Sequence, residues 1–99
     1  MIIAYFKMKL NRGERQDFID EMKAAGAFEQ ARAEKGNISY EYYFSTDDAN
    51  TVVGVERWES LEDFRNHLSN GYVKELGDIQ ANYDVDFEPN LYSAEPVPE

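Results

Sequence analysis

The feature that most constrains the fold of this chain is the spacing of its apolar residues, which changes along the chain between a period of two and the period of a helix. Residues 2–10, 38–44, 51–58 and 84–92 alternate with a period of two, which predicts β-strands. Residues 14–34, 61–68 and 71–82 repeat their apolar side chains at helical spacing instead, so they are predicted helices. The sequence SNG at residues 69–71 interrupts the last two segments, so the second helix is expected to be split in two.

The resulting element order, β-α-β-β-α-β, predicts an α+β fold of the ferredoxin-like type. Two interlocking β-α-β halves give this fold a four-stranded antiparallel sheet with its helices on one face. The chain has 99 residues, which suits one domain with one core. We predict a single domain over residues 1–92, followed by a polar tail over residues 93–99 that holds two prolines.

The predicted third strand, TVVGVERW, is apolar on both faces. One face carries Val52, Gly54, Glu56 and Trp58, and the other carries Thr51, Val53, Val55 and Arg57. An antiparallel sheet with helices on one side usually leaves its other face to water and alternates accordingly. The second apolar face therefore predicts a homodimer that forms through the open face of the sheet.

Local patterns give four further expectations. Gly26 weakens the middle of the predicted helix 14–34 without ending it. Ser60 is an expected N-cap, with Asp63 in the position of a capping box. One face of the second strand is expected to carry Ile38, Tyr40, Tyr42 and Phe44, and the last strand to turn Val85 and Phe87 inward.

Composition excludes several classes of function. Twenty acidic residues against ten basic ones give a net charge of −10, which disfavours binding to nucleic acids and to anionic membranes. The chain has no cysteine and therefore no disulfide, thiolate nucleophile or thiolate metal site. Because the first ten residues lack the basic leader and cleavage site of a signal peptide, a cytoplasmic location is expected.

The face with Gly54, Glu56 and Trp58 is the first candidate for a site. A carboxylate on a buried face must be paired, hydrogen-bonded or in contact with a wet cavity, and a glycine beside it leaves room. These neighbours favour a pocket for a small molecule. The alternatives are a buried ion pair of Glu56 with a cation, and a Trp58 that only anchors a helix to the sheet.

The single histidine, His67, is the candidate proton acceptor. Leu61, Phe64 and Leu68 define the apolar stripe of its helix, and His67 lies at the edge of this stripe, about 60° from Phe64. From there it could reach a cleft between helix and sheet and take a proton near neutral pH, or it could face water. Tyr40 and Tyr72 would add aromatic walls suited to a flat organic ligand. No ligand spacing predicts a metal site.

Two segments together resemble the antibiotic biosynthesis monooxygenase family: EKGNISYEYYF at residues 34–44, and VVGVERWESLEDFRNHLSNGYV at residues 52–73. The resemblance covers about residues 1–90. The family pattern, a Glu-x-Trp at a strand end and a His nine residues after the Trp, matches Glu56, Trp58 and His67. It implies a dimeric ferredoxin-like domain that oxygenates a small phenol, quinol or enol with O₂ and without metal, flavin or haem.

By the same resemblance, His67 is implied as the base or a hydrogen-bond partner. Trp58 is implied as a ring that stacks on the substrate or forms a wall against it, and Glu56, Tyr40 and Tyr72 as polar lining. Relatives that degrade haem carry an Asn in the first strand where this chain has Phe6, which disfavours that activity. Two alternatives stay open. One is an isomerase of a small polar metabolite, for which Arg57, Arg65 and Lys74 would have to supply cations, and the other is a non-catalytic dimer that binds a small molecule.

Overall fold

A computed structural model describes residues 1–98 and contains one four-stranded antiparallel sheet with four helices. The elements follow the chain in this order: β1 Ile2–Lys9, α1 Arg15–Ala24, α2 Ala27–Ala33, β2 Asn37–Phe44, β3 Thr51–Trp58, α3 Leu61–Leu68, α4 Gly71–Asn82 and β4 Asp86–Ser93. The strand order in the sheet is β2-β3-β1-β4, so β1 and β3 are central. This architecture confirms the predicted α+β ferredoxin-like fold and the split of its second half into α3 and α4. Within residues 1–98, no helix is both long and apolar enough to cross a membrane.

The helices cover one face of the sheet. Along β3, Val52, Gly54, Glu56 and Trp58 are buried, whereas the alternate residues keep part of their surface exposed. The main core lies under this face, where Met8 and Val52 pack against Phe18 and Met22 of α1. The predicted assignment of the β3 residues to two faces is therefore confirmed, and Glu56 and Trp58 lie on the face that the helices cover.

The predicted helix 14–34 is wrong in one respect, because Gly26 divides it. The backbone of Gly26 has φ of +77°, a left-handed conformation that an α-helix cannot contain and that glycine adopts at little cost. The chain therefore ends α1 and restarts as α2. The chain after α2 enters β2 at Asn37, which pairs with Trp58, so Glu34 lies at the same end of the sheet as Trp58.

Three apolar side chains are more exposed than expected. A register shift between Asn37 and Ser39 places Ile38 outside the expected face of β2, and this residue is 51% exposed. Leu68, expected in the apolar stripe of α3, is 52% exposed, and the adjacent His67 takes the buried position. Phe87 stacks on Phe6 at the inner face of the sheet but remains 41% exposed, because the edge strand β4 has few neighbours.

The start of α3 confirms the predicted cap. The backbone N–H of Asp63 donates to Oγ of Ser60 at 3.1 Å, and the Ser60 hydroxyl lies 3.0 Å from the Asp63 carboxylate. The cap is also packed against the turn before β2, because a Cβ on Gly36 would collide with the Asp63 carboxylate. This contact couples the position of α3 to that turn.

Candidate functional site

His67 is the centre of a buried polar cluster that four elements and one turn assemble. The imidazole is 3% exposed and lies between aromatic rings, with the indole of Trp58 at 4.7 Å and the rings of Tyr72 and Tyr40 at 5.9 and 6.0 Å between centroids. His67 comes from α3, Trp58 from β3, Tyr40 from β2 and Tyr72 from the first turn of α4. The structure therefore brings together residues that are up to 32 positions apart, counted from Tyr40 to Tyr72.

Glu34 holds the Nδ1 side of the imidazole. Its Oε2 atom lies 2.5 Å from Nδ1 of His67 and accepts the hydroxyl hydrogen of Tyr72 at 2.6 Å, and its Oε1 atom accepts from the side-chain amide of Asn70 at 3.0 Å. A carboxylate can only accept, so His67 must carry its hydrogen on Nδ1. The second ring nitrogen, Nε2, therefore has a free lone pair when the ring is neutral.

A tight turn sets the position of Glu34. The backbone N–H of Asn37 donates to the carbonyl of Glu34 at 3.2 Å, and Gly36 has φ of +82°, which is the pattern of a type II turn with glycine at its third position. The N–H of Glu59 then donates to the carbonyl of Gly36 at 2.8 Å and joins the turn to the end of β3. The backbone thus fixes Glu34 beside the strand that carries Glu56 and Trp58.

Glu56 lies on the other side of the imidazole. Its Oε1 atom is 3.6 Å from Nε2 of His67 and accepts the indole N–H of Trp58 at 3.1 Å. The residue is 3% exposed, and this burial is the main reason why the pKa of its carboxyl is raised to about 7. The hydrogen bond from Trp58 lowers this pKa, and the negative charge of Glu34 raises it by a smaller amount. Glu56 can therefore change its protonation state near neutral pH.

An apolar cavity of about 430 Å³ opens next to this cluster. Its polar end is formed by Tyr40, Glu56 and His67 together with Tyr42. The remaining walls come from the inner face of the sheet and from α3 and α4, and they consist of Phe6, Phe64, Leu68, Val73, Leu76, Gly77, Gln80, Phe87, Pro89, Asn90 and Leu91. No lysine or arginine is among these lining residues.

Tyr40 and Tyr42 add two neutral hydroxyls to the polar end. Their oxygens lie 3.2 Å apart, and burial, followed by nearby negative charge, raises the pKa of both phenols. The ring of Tyr42 lies over Gly54, where an added Cβ would approach its Cζ atom to 3.1 Å. Gly54 therefore makes room for an aromatic wall of the cavity.

The structure separates the predicted site residues into two groups. Tyr40, Glu56 and His67 line the cavity, whereas Trp58 and Tyr72 lie behind them. Trp58 is fully buried and supports His67 by ring contact and Glu56 by its N–H. Tyr72 supports the cluster through Glu34, and its bond to that carboxylate, after burial, raises the pKa of its phenol.

Sequence reasoning missed Glu34. It is the C-cap of α2 and starts the turn before β2, so its only local signal was the turn sequence EKGN. Its partner His67 is 33 residues away. Only the fold brings the two side chains together.

Comparison with protein families finds a match over residues 1–77 to the family described as antibiotic biosynthesis monooxygenase. No curated protein matches in sequence. The fold matches that of SnoaB, a cofactor-independent oxygenase from Streptomyces nogalater, with a TM-score of 0.82 and 17% identity over 99% of this chain and 97% of that one.

Two further solved structures share the fold. A protein from Deinococcus radiodurans that is assigned to the same monooxygenases has a TM-score of 0.84 and 17% identity, and the match covers 100% of this chain and 97% of that one. A conserved protein from Methanosarcina mazei has a TM-score of 0.81 and 20% identity, over 96% of this chain and 94% of that one. At such identities these three structures support the fold alone.

Proposed function

Since the chain belongs to the antibiotic biosynthesis monooxygenase family, we propose that it is a monooxygenase that works without a cofactor and oxidises a small, neutral hydroxyaromatic substrate with O₂. The observation that carries this proposal is the position of His67. Its Nδ1 is bound to Glu34, and its Nε2 is turned towards Glu56 at the polar end of an apolar cavity. The cofactor-independent oxygenase SnoaB has the same fold and supports the proposal at the level of the family.

The cavity walls favour a neutral aromatic substrate. Phe6, Phe64 and Phe87 offer apolar rings, and the ionisable groups of the lining are those of Tyr40, Tyr42, Glu56 and His67. A ligand with a flat apolar body and one hydroxyl end would bury its rings against the walls and place its hydroxyl near the imidazole. An anionic ligand would meet no lysine or arginine among the lining residues.

In the proposed mechanism, Nε2 of His67 removes the hydroxyl proton of the substrate. The carboxylate of Glu34 stabilises the imidazolium that forms and keeps the ring in the tautomer that has Nε2 free. The aromatic shell keeps bulk water away from the new anion, so its electron pair is only weakly solvated and is a better electron donor. The role of the protein is to form and hold this anion.

The anion then reduces O₂ and supplies all the electrons itself. For a hydroquinone, the overall reaction converts one hydroquinone and one O₂ into one hydroxyquinone and one water. A new C–O bond takes one oxygen atom, and the other leaves as water with two substrate hydrogens. The substrate loses four electrons and O₂ gains four, so no external reductant is needed.

The two other functions lack supporting observations in this cavity. An isomerase of an anionic metabolite needs a cation that faces its substrate, and Arg57, Arg65 and Lys74 are not among the lining residues. A non-catalytic binding module predicts a collapsed pocket with Trp58 packed and His67 in water. Trp58 is packed, but His67 is buried next to an open cavity. The monooxygenase proposal accounts both for the cavity that lacks lysine and arginine and for the buried His67 beside it.

We also propose that the protein acts as a homodimer through the open face of its sheet. The central part of that face carries Ile3, Tyr5, Val53 and Val55, which are only partly buried in one protomer. A second copy placed on this face would remove these side chains from water and enlarge the core of a small domain. The dimer is a proposal about stability and leaves the cavity on the other face free.

Oxygen uptake with a panel of hydroquinones and phenols tests the proposed function. We expect consumption with at least one member, and a loss of about a hundredfold or more in kcat when His67→Ala removes the base. Asn66→Ala, an exposed neighbour on α3, is the matched control and should keep its activity. Uptake that is equal in wild type and His67→Ala would contradict the role of His67, and turnover of sugar phosphates would favour the isomerase.

A further inference from the structure

The two carboxylates beside His67 have different surroundings, although both face the same ring. The side chain of Glu34 is 15% exposed and accepts hydrogen bonds from three side chains. The side chain of Glu56 is 3% exposed and accepts from the Trp58 indole alone. Three donors and partial exposure favour a charged carboxylate, whereas deep burial with one donor favours a neutral carboxylic acid.

Among residues 1–98, the surroundings of Glu56 offer no cation other than His67 itself. The titratable groups that face it are Tyr40 and Tyr42 from β2, His67 from α3, Tyr72 from α4 and Glu34 from the end of α2. The three phenols stay neutral because burial raises their pKa, and Glu34 is negative, so it disfavours a second negative charge. On β1, the residue opposite Glu56 is Ala4, which carries no charge.

We propose that Glu56 is a second catalytic residue, which acts as a neutral carboxylic acid and donates a hydrogen bond to the oxygen of the substrate as His67 deprotonates it. This inference rests on the function proposed above and adds a group that stabilises the oxyanion. The indole N–H of Trp58 occupies Oε1 of Glu56, so the carboxyl hydrogen belongs on Oε2. Both Glu56 and His67 line the same cavity, so one substrate oxygen can contact both.

The proton balance of this step is simple. The substrate O–H bond breaks, its proton forms a new bond to Nε2 of His67, and the electron pair stays on the substrate oxygen. Glu56 keeps its own proton and only shares it in a hydrogen bond. The transfer creates two charges, an imidazolium on His67 and an oxyanion on the substrate. The carboxylate of Glu34 stabilises the imidazolium, and the hydrogen bond from neutral Glu56 stabilises the oxyanion.

The proposal predicts different effects for two substitutions of the same residue. Glu56→Gln replaces a neutral acid by a neutral amide that can still donate a hydrogen bond, and it cannot ionise. Glu56→Ala removes the donor. If Glu56 instead worked as a carboxylate base, both variants would lose function alike.

Binding of para-nitrophenol under anaerobic conditions measures the effect without any need for turnover. The dissociation constant is followed by the near-ultraviolet and visible absorbance of the probe at about pH 6 and about pH 9, on the two sides of the Glu56 pKa of about 7. At the lower pH we expect Glu56→Gln to bind like wild type and Glu56→Ala to bind roughly tenfold or more weakly. At the higher pH we expect Glu56→Gln to bind roughly tenfold or more tightly than wild type, because wild type then places a carboxylate against the phenolate.

The matched control is Glu59→Gln, an exposed residue just after β3, which should bind like wild type at both pH values. Equal weakening of Glu56→Gln and Glu56→Ala at the lower pH would overturn the proposal, as would equal binding by wild type and Glu56→Gln at the higher pH. In either case the proposed monooxygenase function would survive. Failure of wild type to bind para-nitrophenol and every phenol of the uptake panel would overturn both.

A second measurement covers the outcome in which the variants fold poorly. Carbon-13 NMR of wild-type protein labelled at the glutamate carboxyl carbons follows each group through its titration, and through-bond correlations to the backbone assign the Glu56 signal without any variant. A neutral carboxyl at about pH 6 in the free protein supports the proposal. A carboxylate at that pH overturns it.

Discussion

Removal of the Glu34 carboxylate should move the hydrogen of His67 from one ring nitrogen to the other. In wild type, Nδ1–H of His67 and the hydroxyl of Tyr72 both donate to Oε2 of Glu34. The same Tyr72 hydroxyl lies 3.1 Å from Nδ1. In Glu34→Ala, Tyr72 can donate to Nδ1 instead, provided that the ring carries its hydrogen on Nε2. The substitution thus places a hydrogen on the atom that the mechanism needs as a base.

The cost in stability follows from the groups that lose a partner. His67 and Tyr72 are buried, and an unpaired buried polar group costs about 1–3 kcal/mol. Because these two groups can pair with each other, we expect only one such cost, about 2 kcal/mol in the free energy of unfolding. Asn70 is exposed, so water replaces its bond. We also expect kcat to fall by about a hundredfold or more, because a hydrogen on Nε2 of His67 prevents this atom from accepting the substrate proton.

Nitrogen-15 NMR of the imidazole gives the assay, because His67 is the single histidine of the chain. We expect the neutral ring to carry its hydrogen on Nδ1 in wild type and mainly on Nε2 in Glu34→Ala. Urea unfolding gives the stability of both proteins, and Glu29→Ala, an exposed residue on α2, is the control that should change neither quantity. An unchanged tautomer in Glu34→Ala would refute the positioning role of Glu34.

Three further predictions concern glycines and the open sheet face. Gly13 and Gly36 both have φ of +82°, but only an added Cβ at position 36 meets other atoms. Gly13→Ala should therefore cost about 1–2 kcal/mol and Gly36→Ala about 3 kcal/mol or more in urea unfolding, and equal costs would contradict the packing of this turn. Gly54→Ala should displace the Tyr42 ring and weaken para-nitrophenol binding, and unchanged affinity would show that the ring does not shape the cavity. Val55→Glu should give a monomer in analytical ultracentrifugation, and a protein that is monomeric before the substitution would remove the dimer proposal.

The period-two pattern of β3 was sufficient to predict part of the site. Alternation decides which residues share a face, so Glu56 and Trp58 had to lie together once the strand was recognised. The helical period gave only the approximate direction of His67, because a rotation of a few tens of degrees decides between the edge and the centre of a stripe. In the structure, His67 is buried and Leu68 is not, since Nδ1 of the imidazole finds hydrogen-bond partners in Glu34 and Tyr72.

The remaining parts of the site depend on contacts that no local pattern contains. Glu34 ends one helix, and the turn at Gly36 that positions it is held to the end of β3 by a backbone hydrogen bond from Glu59. The helix that Glu34 ends starts at the break at Gly26, where one expected helix becomes two. Trp58 was expected as a wall against the substrate, and its position behind His67 follows from how α3 packs on the sheet, which the sequence does not encode locally.

The exposed apolar residues show the same limit. Ile38 leaves its expected face because a bulge adds one residue to β2, and such an irregularity has no clear mark in ISYEYYF. Phe87 faces inward as alternation requires, yet it stays partly exposed because β4 is an edge strand with the cavity beside it. The alternation of residues along a strand decides which face of the sheet a side chain lies on. How deeply that side chain is buried depends on which other parts of the chain pack against the same face.

Turnover under isotopically labelled O₂ tests the central claim most directly. With a hydroquinone that supports oxygen uptake, mass spectrometry of the product distinguishes insertion of oxygen from simple oxidation. The account predicts a hydroxyquinone that carries one labelled oxygen atom, with His67→Ala giving no product above the rate without enzyme. An unlabelled quinone with hydrogen peroxide as the second product would contradict the account, because the protein would then remove electrons from its substrate without transferring an oxygen atom to it.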